Sequence, residues 1–198
     1  MGIFYAFLLA FANNLDNIAV RVAYSARGIK IKRDKNLWIA FITFLISFLA
    51  ATFGGKINFY LGREFTKILS MVLLCLIGLF MSLEPYLKNI IKSDGNMKLY
   101  KILKHPEDAD EDKSMEIDFG EATILGVALS LNNIGGGISG GLIGVNPVFM
   151  GLISAFISFS VLSLGNYAAN WFSRINFGNK INTISGVLII LLGIKQLL

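Results

Sequence analysis

Long uncharged apolar runs alternate with short charged segments along the whole chain. The runs cover residues 3–26, 37–60, 65–83, 121–143, 147–172 and 181–198. About 20 consecutive apolar residues in helical conformation cross the hydrocarbon core of a bilayer. The pattern therefore predicts an all-α, polytopic membrane protein with about six transmembrane helices.

Composition and charge give this prediction an orientation. Hydrophobic residues make up 55% of the chain and charged residues 16%, far to the apolar side of a soluble domain. Thirteen of the 18 Lys and Arg residues lie in segments 27–35, 85–120 and 173–180. Because cytoplasmic loops of membrane proteins carry excess basic residues, we expect a multi-pass protein with both termini outside. The lipid bilayer accounts for the basic residues, and we predict no nucleic-acid partner.

Two short motifs occur in both halves of the chain, in the same order. Because each half has three apolar runs, an odd number, the halves should be inverted relative to each other across the membrane. One tripeptide could recur by chance, but two ordered matches favour a duplication. We therefore predict a first three-helix repeat at 1–84, a cytoplasmic loop at 85–120 and a second repeat at 121–198. The matched motifs are Leu15-Asp16-Asn17-Ile18 with Leu131-Asn132-Asn133-Ile134, and Ile46-Ser47-Phe48 with Ile157-Ser158-Phe159.

Polar residues in the first run fall on one helical face. At about 100° per residue, this face holds Asn13, Asp16, Asn17, Arg21 and Tyr24. An ionisable residue inside a span is costly and usually marks a functional site. Carboxylate and amide oxygens suit Mn²⁺, Mg²⁺ or Ca²⁺. An alternative is that the asparagines only link helices and that Arg21 neutralises Asp16. The predicted intramembrane ion site consists of Asp16, Asn17, Asn132 and Asn133.

The fourth run contains two rows of glycines at four-residue spacing. Such rows favour close helix packing. They also permit an unwound segment whose carbonyls bind an ion, and packing is the favoured alternative. The rows are Gly136, Gly140 and Gly144, and Gly137 with Gly141.

An acidic segment before the fourth run has the spacing of an EF-hand-type calcium loop. Oxygen-bearing side chains stand at its positions 1, 3, 5, 7, 9 and 12. Met115 stands at position 6, where glycine normally adopts a positive φ, and the substitution costs about 1 kcal/mol. We expect weak Ca²⁺ binding, with a solvated acidic linker as the alternative. The candidate ligands are Asp110, Asp112, Ser114, Glu116, Asp118 and Glu121.

The chain resembles the YtaF family of sporulation membrane proteins. The loop run Pro106-Glu107-Asp108-Ala109-Asp110, with Ile117 and Glu121-Ala122, is similar to the loop of that family. Leu15-Asp16-Asn17 and Arg27-Gly28-Ile29-Lys30-Ile31 resemble its first helix. The family is similar to the manganese efflux pump family, six-helix transporters with duplicated halves in the lysine-exporter superfamily. The resemblance implies a bacterial plasma-membrane protein associated with endospore formation that exports a divalent cation such as Mn²⁺.

Three positions depart from that family. Asn132 stands where an aspartate is usual, Arg21 where a small residue is usual, and Met115 where glycine is usual. The resemblance implies that acids from both halves share the transported cation. Asp16 matches this expectation, and Asn132 supplies an oxygen donor without a charge.

Two functions follow from these patterns. The first is a secondary transporter that moves Mn²⁺ or a similar divalent cation outward by alternating access. The alternative is a non-transporting membrane protein of the sporulation programme with a calcium-responsive loop. One histidine, His105, and one cysteine, Cys75, do not form a catalytic triad or a zinc site within one chain. We therefore expect no enzyme activity, and either function is compatible with an oligomer.

Overall fold

The computed structural model describes residues 2–15, 17–18, 20–21, 24, 29–87, 109–110, 112–172 and 178–195. Over these residues the fold is all-α, and one isolated parallel bridge joins Lys30 to Glu116. The helices are α1 Gly2–Asn13, α2 Arg33–Leu61, α3 Arg63–Leu87, α4 Phe119–Leu142, α5 Pro147–Phe172 and α6 Gly178–Lys195.

The outer surface of the bundle has the character of a lipid-facing surface. Within the described residues, α2, α4 and residues Pro147–Leu164 of α5 are long and apolar enough to cross a membrane. Large apolar side chains point outward from the helices, including Phe4, Phe53 and Phe156. An exposed apolar surface of this kind is stable in contact with lipid or another protein but not in contact with water. The chain is therefore a helical membrane protein.

The first predicted span is not one continuous helix. Helix α1 ends at Asn13, Asn14 and Leu15 form a turn, and helical residues resume at Asn17. The side-chain amide of Asn14 donates to the Ala10 carbonyl at 2.7 Å, and such bonds compete with the helical pattern. Non-helical backbone at membrane depth is tolerated only where protein or a cavity surrounds it. The prediction of one uninterrupted helix over 3–26 is wrong at this turn.

The most extensive contact between helices joins α2 and α4. Helix α5 packs against α2, and helix α6 packs against α3. The α2–α4 contact depends on glycine. A Cβ at Gly54 would overlap the Ile138 carbonyl oxygen, and a Cβ at Gly141 would overlap that of Ala51. Helix α4 stays helical to Leu142. The packing interpretation is therefore confirmed at Gly136, Gly137 and Gly141, and the unwound-segment alternative is wrong for these helical positions. Gly144 lies beyond the end of α4, in a turn with φ +81°.

A layer of buried polar side chains separates two apolar clusters. On α4, Leu125 and Leu129 belong to the cluster nearer the loop. On α5, Met150 belongs to the second cluster. Leu162, farther along the same helix and beyond the polar side chains, belongs to the first cluster. The side chains between the clusters all have 0% exposure, and we call them the polar layer: Asn13, Asn14, Asn17, Thr43, Ser47, Ser130, Asn133, Ser154 and Ser158.

Candidate functional site

Asparagines from both sequence repeats meet in the polar layer. The Asn14 side-chain amide donates to Asn133 Oδ1 at 3.3 Å. Asn17 donates to Asn14 Oδ1 at 3.0 Å and to Ser158 Oγ at 3.4 Å. The structure thus brings the predicted residues Asn17 and Asn133 into one network, joined through Asn14. Asn132, the next residue along α4, is half-buried.

Asp16, the predicted charged ligand, lies outside the described residues. Of its chain neighbours, Leu15 belongs to the turn and Asn17 to the network. Its role as the charged ligand stays a prediction.

Hydroxyl groups form the other part of the network, and the sequence prediction missed them. Thr43 Oγ1 lies 3.0 Å from Ser130 Oγ and 3.5 Å from Ser158 Oγ, and its hydroxyl also bonds to the Ile39 carbonyl of its own helix at 3.0 Å. A signal was present in the spacing. Thr43 and Ser47 stand four residues apart on α2, as do Ser154 and Ser158 on α5, so each pair shares one helical face.

Several polar atoms of the layer have no hydrogen-bond partner among the described residues. They include both side-chain polar atoms of Asn13, the hydroxyls of Ser47 and Ser154, and Nδ2 of Asn133. Gly136 makes room for one of them, since a Cβ there would overlap the Asn13 amide nitrogen. Unsatisfied buried groups cost about 1–3 kcal/mol each. Three of these atoms are oxygens that could bind a small polar species or an ion, and the other two are amide nitrogens that could only donate hydrogen bonds.

A positive side chain adjoins this layer. Arg21, one turn after Asn17, is 2% exposed. Its Nε and Nη1 have no hydrogen-bond partner in the described part of the chain. The guanidinium therefore remains inside the protein and does not extend to the membrane surface. A cation entering the layer would experience repulsion from it.

Three acidic residues of the loop converge as the EF-hand spacing predicts. One carboxylate oxygen comes from each of Asp110, Asp112 and Glu121, and these three oxygens lie within 4.8 Å of one another. The Asp110 carboxylate accepts from Ser114 N at 3.0 Å and from Met115 N at 3.2 Å. Met115 has φ +66°, the left-handed conformation predicted for position 6. Hydrogen bonds from Ser114 hold the pKa of Asp112 below its usual range.

Two of the candidate loop ligands also begin helix α4. Asp118 Oδ1 accepts from Glu121 N at 2.8 Å, and Glu121 Oε2 accepts from Asp118 N at 3.0 Å. This reciprocal pair is a capping box, which satisfies backbone donors at the start of a helix. A cation in the loop would share the Glu121 carboxylate with this cap.

The loop packs against the segment that precedes α2. Lys30 N donates to the Met115 carbonyl at 2.9 Å, and Ile117 N donates to the Lys30 carbonyl at 3.1 Å. Ile117 is buried in the first apolar cluster. Glu116, whose carbonyl accepts from Ser114 Oγ at 2.8 Å, pairs with Lys32 at 2.6 Å. The residues around Ile117 are therefore part of the folded bundle, which argues against a freely solvated linker there.

Comparisons with known proteins agree with these features. The sequence model of the family described as "Mntp: Putative manganese efflux pump" matches residues 94–197. The chain is 30% identical to "Probable sporulation protein YtaF" of Bacillus subtilis (strain 168), over 96% of this chain and 97% of that protein. No solved structure gives a significant match. The chain therefore belongs to the family that this model describes.

Proposed function

We propose that this protein is a secondary transporter that moves a divalent cation of the Mn²⁺ type out of the cytoplasm through the polar layer. One observation carries the proposal: four helices bring amide and hydroxyl groups into a fully buried layer between two apolar clusters. The broken helix after Asn13 supports it, because interrupted helices typically form the ion sites of transporters. The choice of Mn²⁺ follows from the family description.

The proposed ligands are Asp16, Asn17, Asn132 and Asn133. Asp16 supplies the negative charge, and the asparagines supply neutral oxygens that suit a hard divalent cation. Asn17 and Asn133 support this set because they already share a network through Asn14.

The proposed architecture has six spans in two inverted repeats, at 1–84 and 121–198. The loop at 85–120 lies in the cytoplasm and both termini lie outside. A membrane-impermeant thiol reagent tests this in a Cys75→Ser background. Lys56→Cys should react in intact cells and Lys101→Cys only after permeabilisation. Reaction of Lys101→Cys in intact cells would contradict the orientation.

Cation flux in proteoliposomes tests the proposed transport. Wild-type protein should move Mn²⁺ faster than protein-free liposomes, with Ca²⁺ and Mg²⁺ compared as alternative substrates. Asp16→Asn should abolish the flux because it removes the proposed charge from the site. Asp34→Asn is the matched control, since Asp34 is an exposed acid at the start of α2. Flux that survives Asp16→Asn would overturn the ion site, and no flux in wild type would overturn transport.

The loop supports a second candidate function, a sporulation-associated membrane protein that binds Ca²⁺ on its cytoplasmic side. The convergence of Asp110, Asp112 and Glu121 favours it, and the name of the Bacillus relative suggests the sporulation context. Calorimetry on the purified full-length protein should detect Ca²⁺ binding that Asp112→Asn weakens. Glu64→Gln, at an exposed acid of α3, is the control. Equal heats for wild type and Asp112→Asn would count against the loop site.

A further inference from the structure

The repeat relates polar residues of the layer in pairs. The first motif pair aligns α1 and its continuation with α4, and the second aligns α2 with α5. Extending these alignments by a few residues in the same register gives four pairs inside the polar layer. They are Asn14 with Ser130, Asn17 with Asn133, Thr43 with Ser154, and Ser47 with Ser158.

These pairs divide eight residues of the layer into two sets. Along α2, Ser47 stands one turn, about 6 Å, farther from the loop end than Thr43. Along α5, Ser154 stands one turn nearer Pro147 than Ser158 does. The inner set, nearer the loop, is Asn17, Thr43, Ser130 and Ser158. The outer set of repeat-related residues is Asn133, Ser154, Asn14 and Ser47.

The inner set is joined by hydrogen bonds between its members. Thr43 contacts Ser130 and Ser158, and Asn17 donates to Ser158. Three contacts thus tie α2, α4, α5 and the segment after α1 together on the loop side of the layer. We call this arrangement the inner latch.

The corresponding contacts of the outer set are not made within the described residues. The repeat would pair Ser154 with Asn14, Ser154 with Ser47, and Asn133 with Ser47. Instead the Ser47 hydroxyl, the Ser154 hydroxyl and Asn133 Nδ2 are the atoms without partners there. These three groups of the outer set are therefore buried and unsatisfied while the inner latch is closed, whereas the Asn14 side chain is already bonded to Ala10, Asn133 and Asn17.

We propose that Ser47 and Ser154 are positioning residues of the transport cycle, which close an outer latch on Asn133 and Asn14 when the inner latch opens. The inference rests on the proposed function and its inverted repeats. Each latch has one hydroxyl–hydroxyl contact and one hydroxyl–amide contact in common, and the third contact pairs two hydroxyls in the inner latch and a hydroxyl with an amide in the outer latch. The two states thus exchange one set of hydrogen bonds for its counterpart. The structure then represents the state in which the loop side of the layer is closed.

A static packing role predicts a different effect of substitution. If Ser47 and Ser154 were never bonded, replacing either with alanine would only remove an unsatisfied buried group. It would leave the accessibility of both ends of the layer unchanged. In the two-latch arrangement, a substitution shifts the population toward the state whose hydrogen bonds it leaves intact.

The test measures the reaction rate of a thiol reporter at each end of the layer, in a Cys75→Ser background. Asn36→Cys reports the loop end, where Asn36 is bonded to Ser163 of α5. Ser70→Cys reports the other end, where Ser70 donates to the Ser139 carbonyl. A small, soluble thiol reagent is applied to protein in liposomes.

Opposite shifts are the expected result. Ser158→Ala should make Asn36→Cys react at least about fivefold faster and Ser70→Cys slower, since it removes two latch contacts and one hydrogen bond alone contributes about 1 kcal/mol. Ser47→Ala should change both rates in the reverse direction, and the double variant should return toward wild type. Ser160→Ala is the matched control, because Ser160 bonds only to Phe156 of its own helix among the described residues.

The outcomes separate the two proposals. Unchanged rates, or shifts of the same sign for Ser47→Ala and Ser158→Ala, would overturn the latch even if Mn²⁺ flux is measured. Opposite shifts in protein that shows no flux with Mn²⁺, Ca²⁺ or Mg²⁺ would support the latch and overturn the proposed transport.

Discussion

The polar layer and the acidic loop both gather oxygen donors, but they are assembled in opposite ways. The loop draws its acids from residues 110–121, and backbone groups of the same segment hold them in place. The layer joins side chains as distant in sequence as Asn17 and Ser158. Local spacing therefore determines the loop, whereas the packing of four helices determines the layer.

The two regions also differ in charge and exposure. Asp112, Ser114 and Glu116 are exposed, and the loop contains several carboxylates. The layer is completely buried, and its described members are neutral. A change in helix packing far from the loop should therefore disturb the layer more than the loop, while a change in loop geometry should do the reverse.

The largest effect is expected from the contact between α2 and α4. Gly141→Ala places a methyl group against the Ala51 carbonyl, and overpacking of this kind costs about 3 kcal/mol or more when backbone must move. Thermal unfolding in detergent should show a large loss of stability for this variant, together with loss of Mn²⁺ flux. Calcium binding by whatever protein remains folded should be unchanged.

Gly55→Ala is the matched control for that experiment. Gly55 lies at the same interface, but a Cβ there meets nothing within 4 Å. Alanine is favoured over glycine in a helix by up to about 1 kcal/mol, so this variant should be neutral or slightly more stable. Equal destabilisation by both substitutions would contradict the close approach of the two helices.

A second large effect concerns the charge of the layer. Asp16 alone cannot neutralise a dication, and the buried Arg21 opposes it. Asn132→Asp adds one negative charge and Arg21→Gly removes one positive charge from the same region. Together they should raise Mn²⁺ flux about tenfold or more, and the two effects should couple because the groups act on one site.

The single variants and a surface control make this test decisive. Each single substitution should raise the flux less than the double variant does. Lys35→Gly removes a positive charge outside the layer and should have little effect. If the double variant is folded and its Mn²⁺ flux is no higher than that of wild type, the non-transporting function is favoured.

The sequence predicted individual helices better than their arrangement. The limits of α5 agree with the apolar run at 147–172, and those of α4 differ from the predicted limits by one or two residues. Apolar content gave no warning of the turn at Asn14 and Leu15, because these residues lie inside one long apolar run. The six-span inverted topology stays a prediction.

The candidate sites show the same division. In the loop, the convergence of Asp110, Asp112 and Glu121 and the positive φ of Met115 agree with the spacing within one segment. In the layer, Asn17 and Asn133 were identified because they recur in both repeats. Thr43 and Ser130 were missed, and Ser158 was noted only as part of a recurring motif, since hydroxyls in apolar helices usually bond to their own helix. Their contacts depend on interhelical register, which spacing within one helix does not determine.

A smaller effect is expected at the loop turn. Met115→Gly should strengthen Ca²⁺ binding about fivefold, because glycine adopts the positive φ of this position about 1 kcal/mol more easily. Calorimetry on the full-length protein measures the change. Met115→Ala is the control, since it shortens the side chain and keeps the strained conformation. Equal tightening by alanine would show that side-chain bulk, and not backbone strain, limits the site. Mn²⁺ flux should be the same in all three proteins.

The smallest effect should come from the exposed ion pair that joins the loop to the segment before α2. The hydrogen bond from Lys32 holds the pKa of Glu116 below its usual value, and Glu116 raises that of Lys32. Because the pKa of Glu116 is lowered in the folded state, the carboxylate stabilises the fold above its unfolded-state pKa, and this stabilisation is lost as the pH falls through the folded-state pKa. Because the pKa of Lys32 is raised in the folded state, the ammonium group stabilises the fold below its unfolded-state pKa, and this stabilisation is lost as the pH rises through the folded-state pKa. Glu116→Gln should therefore lower the unfolding temperature slightly between about pH 4.5 and 10.5, the ordinary values of the two groups. The difference from wild type should disappear below and above that range, and high salt should reduce it because both side chains are solvated. A pH-independent difference would assign the effect to the backbone bridge at Lys30 and Ile117 instead of the ion pair.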